Sequence, residues 1–130
     1  MLLTPWATDE EAFLFLRLMR EAVGTDRIAM GGVPDGAAET FAGGFRISAD
    51  RNPNRAGVLR MLGADPLPPG ALLEEIRAGR LRALGVHDAT PGLAFDDAAL
   101  DLLRHVPHIV FLGITDTTQA QAAEAVLPAA

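Results

Sequence analysis

The first half of the chain opens with apolar residues at helical spacing. Between residues 9 and 23 they recur every three or four positions, which predicts an amphipathic helix. Thr8 with Glu11 three positions later matches a capping box at its start, and Gly24 is typical of a residue that ends a helix. The side chains that this spacing predicts to be buried are Ala12, Phe15, Leu16, Met19 and Val23.

The rest of the chain alternates between strand-like and helical patterns. The predicted strands are 1–4, 27–30, 82–87, 108–114 and 125–127, and the predicted helices, besides 9–23, are 55–63, 70–78, 96–105 and a last one capped by Thr117 or Asp116. The stretch HIVFLGI at 108–114 is nearly all apolar, which is typical of parallel strands covered on both faces. We therefore predict one α/β domain over residues 1–130: an open, doubly wound, mainly parallel sheet, with 82–87 and 108–114 as neighbours and helices on both faces.

Residues 31–54 form the longest stretch without apolar periodicity. They are rich in Gly, Pro, Asp and Asn, so we predict a loop that crosses a surface or belongs to a site. Gly31, Gly32 and Gly36 do not form a dinucleotide-binding fingerprint, because Val33 stands where the central glycine belongs.

The composition narrows the possible chemistry. The chain has 130 residues, 49% of them hydrophobic, with no Cys and a net charge of −6; all eleven basic residues are Arg. Without Cys it has no disulfide, thiolate metal ligand or thiol nucleophile, and without Lys it has no Walker-type phosphate loop. Its negative charge argues against a nucleic-acid partner, and no apolar run approaches the ~18–20 residues that span a bilayer.

Polar side chains follow two neighbouring predicted strands at the edge where open α/β sheets bind ligands. His87 and Asp88 end one strand, and Thr115 and Asp116 follow the next, with Thr117 after them. Helix capping by Asp116 or Thr117 explains those two residues without a ligand. No Lys or Arg lies in 83–90 or 110–120, so we expect these aspartates to repel a pyrophosphate.

The remaining histidines and one serine complete the set of candidate residues. His105 and His108 have no carboxylate or thiol at metal-ligand spacing, so we predict no metal site and two surface histidines. A triad of Ser48, His87 and Asp88 lacks a nucleophile-elbow sequence around Ser48, and we predict no catalytic residue. Arginines of the long loop, such as Arg51 or Arg55, would change the electrostatics of the crevice if they reached it.

Several stretches together resemble molybdopterin-oxidoreductase-type domains. They are TDEEAFLFLRLMREAVGTDRI, FRISADRNPNRAGVLRMLG, IRAGRLRALGVHDATP and VFLGITDTTQAQAAEAVLPAA. With the form ADRNPNRAG, the combination is most similar to the large iron–sulfur subunit, also called chain 3, of NADH–quinone oxidoreductase, which is respiratory complex I. The similarity extends over almost the whole chain.

Departures from the family motifs change what the resemblance implies. Residues 85–91 replace the family's GxNP turn, and 123–128 replace its ADVVLP stretch. The resemblance then implies a non-catalytic structural domain, excised from a larger subunit, that keeps the fold without the molybdenum cofactor. The crevice candidates His87, Asp88 and 115–117 would be vestigial. This chain would hold no cofactor, and the iron–sulfur clusters would lie in the missing part of the subunit.

The resemblance also implies partners and a location. The partners would be other domains of the same subunit and other peripheral-arm subunits of a complex that moves electrons from NADH to quinone. The location would be cytoplasmic, peripheral to the inner face of the plasma membrane. Alternatives are a fragment of a molybdopterin-dependent oxidoreductase such as formate dehydrogenase, an unrelated small-molecule-binding α/β module, and a stand-alone homologue.

Overall fold

A computed structural model describes residues 1–88 and 97–128, which form strands and helices around a parallel sheet. The strands are β1 (Leu2–Leu3), β2 (Ala29–Met30), β3 (Glu39–Thr40), β4 (Arg46–Ile47), β5 (Ala83–Asp88), β6 (His108–Gly113) and β7 (Ala125–Pro128). The helices are α1 (Asp9–Arg17), a π-helix (Leu18–Val23) that continues it, α2 (Arg55–Leu62), α3 (Pro69–Arg77), α4 (Asp97–Leu103) and α5 (Thr118–Gln121).

The main sheet has the strand order β2-β1-β5-β6-β7, and every pairing in it is parallel. Two apolar clusters flank it. One packs α1, the π-helix and α2 against Leu3, and the other packs α3, α4 and α5 against Leu2. Helices therefore lie on both faces. Right-handed connections require this arrangement when some lead to one edge of the sheet and others lead to the opposite edge. The predicted α/β class and the pairing of β5 with β6 are confirmed.

An interior strand of the sheet, β1, has only two residues. Leu2 and Leu3 are fully buried, on opposite faces. They pair with Ala29 and Met30 on one side and with Val86 and His87 on the other. Strand β1 is thus enclosed by two ladders and two helical layers, which explains why it consists of large aliphatic side chains.

The predicted start and end of the first helix are confirmed, but the predicted burial of one residue near its end is wrong. The Thr8 hydroxyl accepts a hydrogen bond from the Glu11 amide at 3.2 Å, and the Glu11 carboxylate accepts one from the Thr8 amide at 2.8 Å. Gly24 ends the helical run with φ of 74°. Val23, however, is 60% exposed, so its predicted burial is wrong. The wider turn of the π-helix rotates Val23 away from the face that Met19 occupies.

Two further predictions need correction or lie outside the described residues. The stretch 31–54 is not wholly a loop, because β3 and β4 form a small antiparallel hairpin within it. Of the predicted helix 96–105, the structure describes α4 within it. Residues 89–91 of the segment that replaces the GxNP turn lie outside the described residues.

One face of the β6–β7 half of the sheet is left largely open by the described helices, although Leu112 packs against the α1 cluster. Phe111 points into the α3–α5 cluster and is buried, whereas Val110 is 44% exposed and Leu112 is half-buried. Ala125 and Leu127 pair with Val110 and Leu112 and are also exposed. The expectation that the apolar strand 108–114 is covered on both faces is therefore wrong. We call the side chains of Val110, Leu112, Ala125 and Leu127 the open face.

Candidate functional site

The strand order places the expected ligand crevice one strand away from its predicted position. The connection after β1 leads to β2 on one side, and the connection after β5 leads to β6 on the other side. Ligands of open α/β sheets bind at the carboxyl ends of such a pair of strands. Leu3 lies opposite His87, so Thr4 follows beside Asp88. The sequence predicted the crevice between β5 and β6, and Thr4 was not among its candidates.

His87 is buried on the α1 side of the sheet and is only 3% exposed. Its ring lies 5.3 Å from the ring of Phe15, at a tilt of 53°. Burial lowers its pKa below the usual 6.5, against the opposing effect of the Glu11 and Asp88 carboxylates. Nδ1 of His87 is buried and has no hydrogen-bond partner among the described residues. The imidazole is therefore neutral at pH 7 and packs against the ring of Phe15.

Asp88 is fully buried at the end of β5, where the neighbouring strand approaches it closely. A Cβ at Gly113 would lie 2.6 Å from the backbone carbonyl oxygen of Asp88 and 2.5 Å from the ring of Phe111. Only glycine fits there, so the edge between β5 and β6 is closed by backbone contact. Little space remains for a ligand between these two strand ends.

The three candidates after β6 lie at the same sheet edge but on its surface. Thr115 and Asp116 are exposed. Thr117 caps α5: its hydroxyl accepts a hydrogen bond from the Ala120 amide at 3.3 Å. The prediction that Asp116 or Thr117 caps this helix is confirmed for Thr117. Because α5 has only four residues, its start offers a weak dipole, and the capping role accounts for Thr117.

The long loop is fastened over the carboxyl end of β1 by asparagines that sequence reasoning did not assign to a site. Asn52 accepts a hydrogen bond from the Val33 amide and donates one to the Val33 carbonyl, both at 2.8 Å. Asn54 donates to the Ala7 carbonyl at 2.8 Å and to Asp9 at 2.9 Å. The NPN segment at 52–54, flanked by arginines, was the sequence feature that could have indicated these contacts. Its side-chain amides bind other parts of the same chain.

A glycine allows the loop to approach β1 this closely. Gly32 has φ of 121°, and a Cβ there would lie 2.6 Å from Pro5 and 2.7 Å from Asn52. The glycine-rich segment thus serves a close backbone approach. In a phosphate-binding loop the glycines allow close contact with a ligand, whereas Gly32 allows close contact with Pro5 and Asn52 of the same chain.

The arginines that would change the charge of the crevice are paired within the long loop. Arg51 contacts Glu39 at 3.4 Å and donates to the Ala37 carbonyl at 3.0 Å. Arg55 contacts Asp35 at 3.0 Å and Asp50 at 3.4 Å. Hydrogen bonds from Asn52 and the charge of Arg55 lower the pKa of Asp50. These contacts direct both guanidinium groups to carboxylates of the loop.

The remaining histidines lie on the surface. His105 Nδ1 is 2.9 Å from the Asp101 carbonyl oxygen, and His108 Nδ1 is 2.9 Å from the Glu124 carboxylate. Within residues 1–88 and 97–128, no three His, Asp or Glu side chains are grouped closely enough to hold a metal ion. In the same part of the chain, no helix combines the length and the hydrophobicity needed to cross a lipid bilayer.

The second candidate site lies beside the open face. A shallow depression of about 220 Å³ lies between α1 and β6, lined by Glu11, Leu14, Phe15, Leu18, His87 and Leu112. Leu14 is 61% exposed and Leu18 is 54% exposed. Together with the open face they form a continuous apolar surface, which suits contact with another protein segment better than contact with a polar ligand.

Comparisons with known proteins add no assignment to this geometry. No protein-family model matches the chain, and neither the curated proteins nor the solved structures include a match. What the fold itself defines is an α/β protein with a five-stranded parallel sheet and helices on both faces.

Proposed function

We propose that this chain is a non-catalytic structural domain of the large iron–sulfur subunit of NADH–quinone oxidoreductase. In that role it packs against other domains of the subunit and against other peripheral-arm subunits. The complex moves electrons from NADH to quinone, at the inner face of the plasma membrane, through clusters held outside this chain. The proposal rests on the resemblance of the motifs and on one structural observation, the open face.

The open face supports a packing role because parallel strands are normally covered on both sides. Val110 and Leu127 are about half-exposed, and Leu112 is partly exposed beside them. Complete burial of a Val or Leu side chain contributes about 1.5–3 kcal/mol, so covering these three contributes roughly 2–4 kcal/mol to an association. A surface of this kind favours a domain that functions within an assembly.

The NPN segment gives independent support to a structural role. In this chain Asn52 and Asn54 bond to the backbone around Val33 and Ala7. Their polar groups are thereby used in folding, and the loop covers the crevice that a cofactor would enter. These hydrogen bonds account for the NPN segment by its contribution to stability, without a role in binding a cofactor.

The test is to tag the chain at its own locus and to separate detergent-solubilised membranes by native electrophoresis. We expect the tag to migrate with the band that oxidises NADH. Replacing Val110 with Asp should release the tagged chain from that band, because it places a charge on the open face at a side chain that is 44% exposed. The matched change Phe45→Asp, at a residue 65% exposed beside the β3–β4 hairpin, should leave the migration unchanged.

Two results would refute the proposal. One is migration of the tagged chain away from every NADH-oxidising band. The other is NADH oxidation or a visible absorption band of the purified chain itself, since the proposed domain holds no redox centre.

A second candidate function is that of a small-molecule-binding α/β module. It is favoured by the buried polar residues Thr4 and Asp88 at the carboxyl ends of β1 and β5. The Thr4 hydroxyl, however, accepts a hydrogen bond from the Trp6 amide at 3.3 Å. A thermal-shift screen against nucleotides and a guanine dinucleotide separates the two hypotheses. We expect no shift in melting temperature, and a saturable shift that Asp88→Asn abolishes would favour the binding module.

A further inference from the structure

The open face has the width of one helix. Strands β6 and β7 share four paired positions. With strands about 4.8 Å apart and about 3.3 Å per residue, this area is roughly 10 Å wide and 13 Å long. An α-helix with its side chains is about 10–12 Å across, so a single helix covers it.

The α1 helix forms a wall along one side of this area. Leu14 and Leu18 project from the α1 helical run toward β6 and line the depression with Leu112. A helix lying on β6 and β7 would therefore contact the sheet below and α1 beside it. The depression accepts one large apolar side chain from such a helix.

Two carboxylates of the described residues, those of Glu11 and Glu124, lie around the open face. Glu11 lines the depression near the carboxyl end of the strands. Glu124 precedes β7 at the other end, where it contacts His108. Arg17 and Arg20 lie on another side of the same helical run, around a separate depression with Met61. A partner with Arg or Lys beside its apolar stripe would therefore be attracted, and a second copy with the same acidic border would be repelled.

We propose that the open face binds an amphipathic helix of a neighbouring protein, with an apolar stripe against β6 and β7 and basic residues beside both ends of the contact. This inference rests on the proposed function, because it names the kind of partner that the packing domain receives. The helix occupies the place that a crossover helix takes on the opposite face.

The probe is a synthetic peptide of about 18 residues, long enough to become helical on binding, with a leucine stripe flanked by arginines. Binding to the full chain is followed by amide chemical shifts. We expect the shifts to map to Leu14, Val110, Leu112 and Leu127. A peptide of the same composition without the stripe, and a striped peptide with glutamates for arginines, should each bind at least tenfold more weakly.

Variants of the chain test the location. Leu127→Asp should weaken binding of the striped basic peptide at least tenfold, and its exposed position makes the change compatible with folding. Phe45→Asp, which introduces the same charge outside the open face, should change binding less than twofold. Equal binding of the stripeless peptide, shifts confined to another surface, or a dimer in sedimentation that Leu127→Asp dissociates would each overturn the inference.

The peptide test and the native-gel test fail independently. If the tagged chain migrates with the NADH-oxidising band but the peptide does not bind, the packing domain stands and the helical partner is wrong. If the peptide binds at the open face but the chain migrates elsewhere, the helix-binding surface stands and its assignment to complex I is wrong.

Discussion

The two halves of the sheet share one architecture but differ in how they are covered. Around β1, both faces carry helices and both leucines are fully buried. Along β6, Ile109 and Phe111 are buried while Val110 between them is 44% exposed. Both strands are almost entirely apolar in sequence. An all-apolar strand thus indicates that both of its faces are buried in the functional state. It does not indicate that both faces are buried by elements of the same chain.

The largest expected effect comes from comparing neighbouring residues of β6. Phe111→Ala should lower the free energy of unfolding by about 3–5 kcal/mol, because it leaves a cavity in the α3–α5 cluster. Val110→Ala, one position away on the open face, should cost less than about 1 kcal/mol. Urea denaturation of the two variants measures both. Similar losses would mean that the open face is covered in solution.

The second prediction tests the contact between β5 and β6. Gly113→Ala should cost about 1–3 kcal/mol, since the added methyl group meets the Asp88 carbonyl and the Phe111 ring. Gly70→Ala in α3 is the matched control, because a Cβ there has no neighbour within 4 Å. It should be neutral or stabilising by up to about 1 kcal/mol. A neutral Gly113→Ala in the same denaturation assay would show that this edge is open.

The third prediction separates the fastened base of the long loop from its exposed hairpin. Asn52→Ala removes the paired hydrogen bonds to Val33 at a residue that is 7% exposed, and should cost about 1–3 kcal/mol. Glu39→Ala breaks the exposed contact with Arg51 and should cost less than about 1 kcal/mol. Thermal unfolding ranks the two variants, and the reverse order would contradict the fastening role of Asn52.

The smallest effect concerns His87, at the boundary between the covered half and the open face. Its folded pKa lies below the unfolded value of 6.5, so the unfolded chain takes up the proton first. The contribution of neutral His87 to the free energy of unfolding is complete above pH 6.5. This contribution is lost as the pH falls from there toward the folded pKa. His87→Leu should therefore flatten the decline in unfolding free energy between about pH 7.5 and about pH 5.5.

Two controls complete that measurement. The buried amino group of Met1, whose pKa burial lowers from 8.0 to about 6, weakens the fold in the same direction as pH falls. It is present in both proteins and cancels in the comparison. Val110→Ala, which removes no titratable group, should leave the pH profile unchanged. A profile that stays equally steep after His87→Leu would show that His87 is accessible to protons in the folded chain.

Local signals in the sequence identified local structure. The capping box at Thr8 and the glycine at 24 are properties of adjacent residues, and they were predictable. The burial of Val23 was not, because a π-helix depends on how the whole helical run packs. Asn52 and Val33 lie far apart in the chain, so their pairing needs the folded sheet. The displacement of the crevice to Thr4 follows from strand order, which residue patterns do not contain.

The interior position of β1, between β2 and β5, has a consequence for biosynthesis. Leu3 pairs with His87, which is synthesised about 80 residues later. At roughly 5–20 residues per second, β1 waits about 4–16 seconds for its second neighbour. During that interval its leucines and the free edge of its ladder are available to other chains. Slower translation should therefore increase aggregation of this protein, and holdase chaperones that bind nascent apolar segments should reduce it.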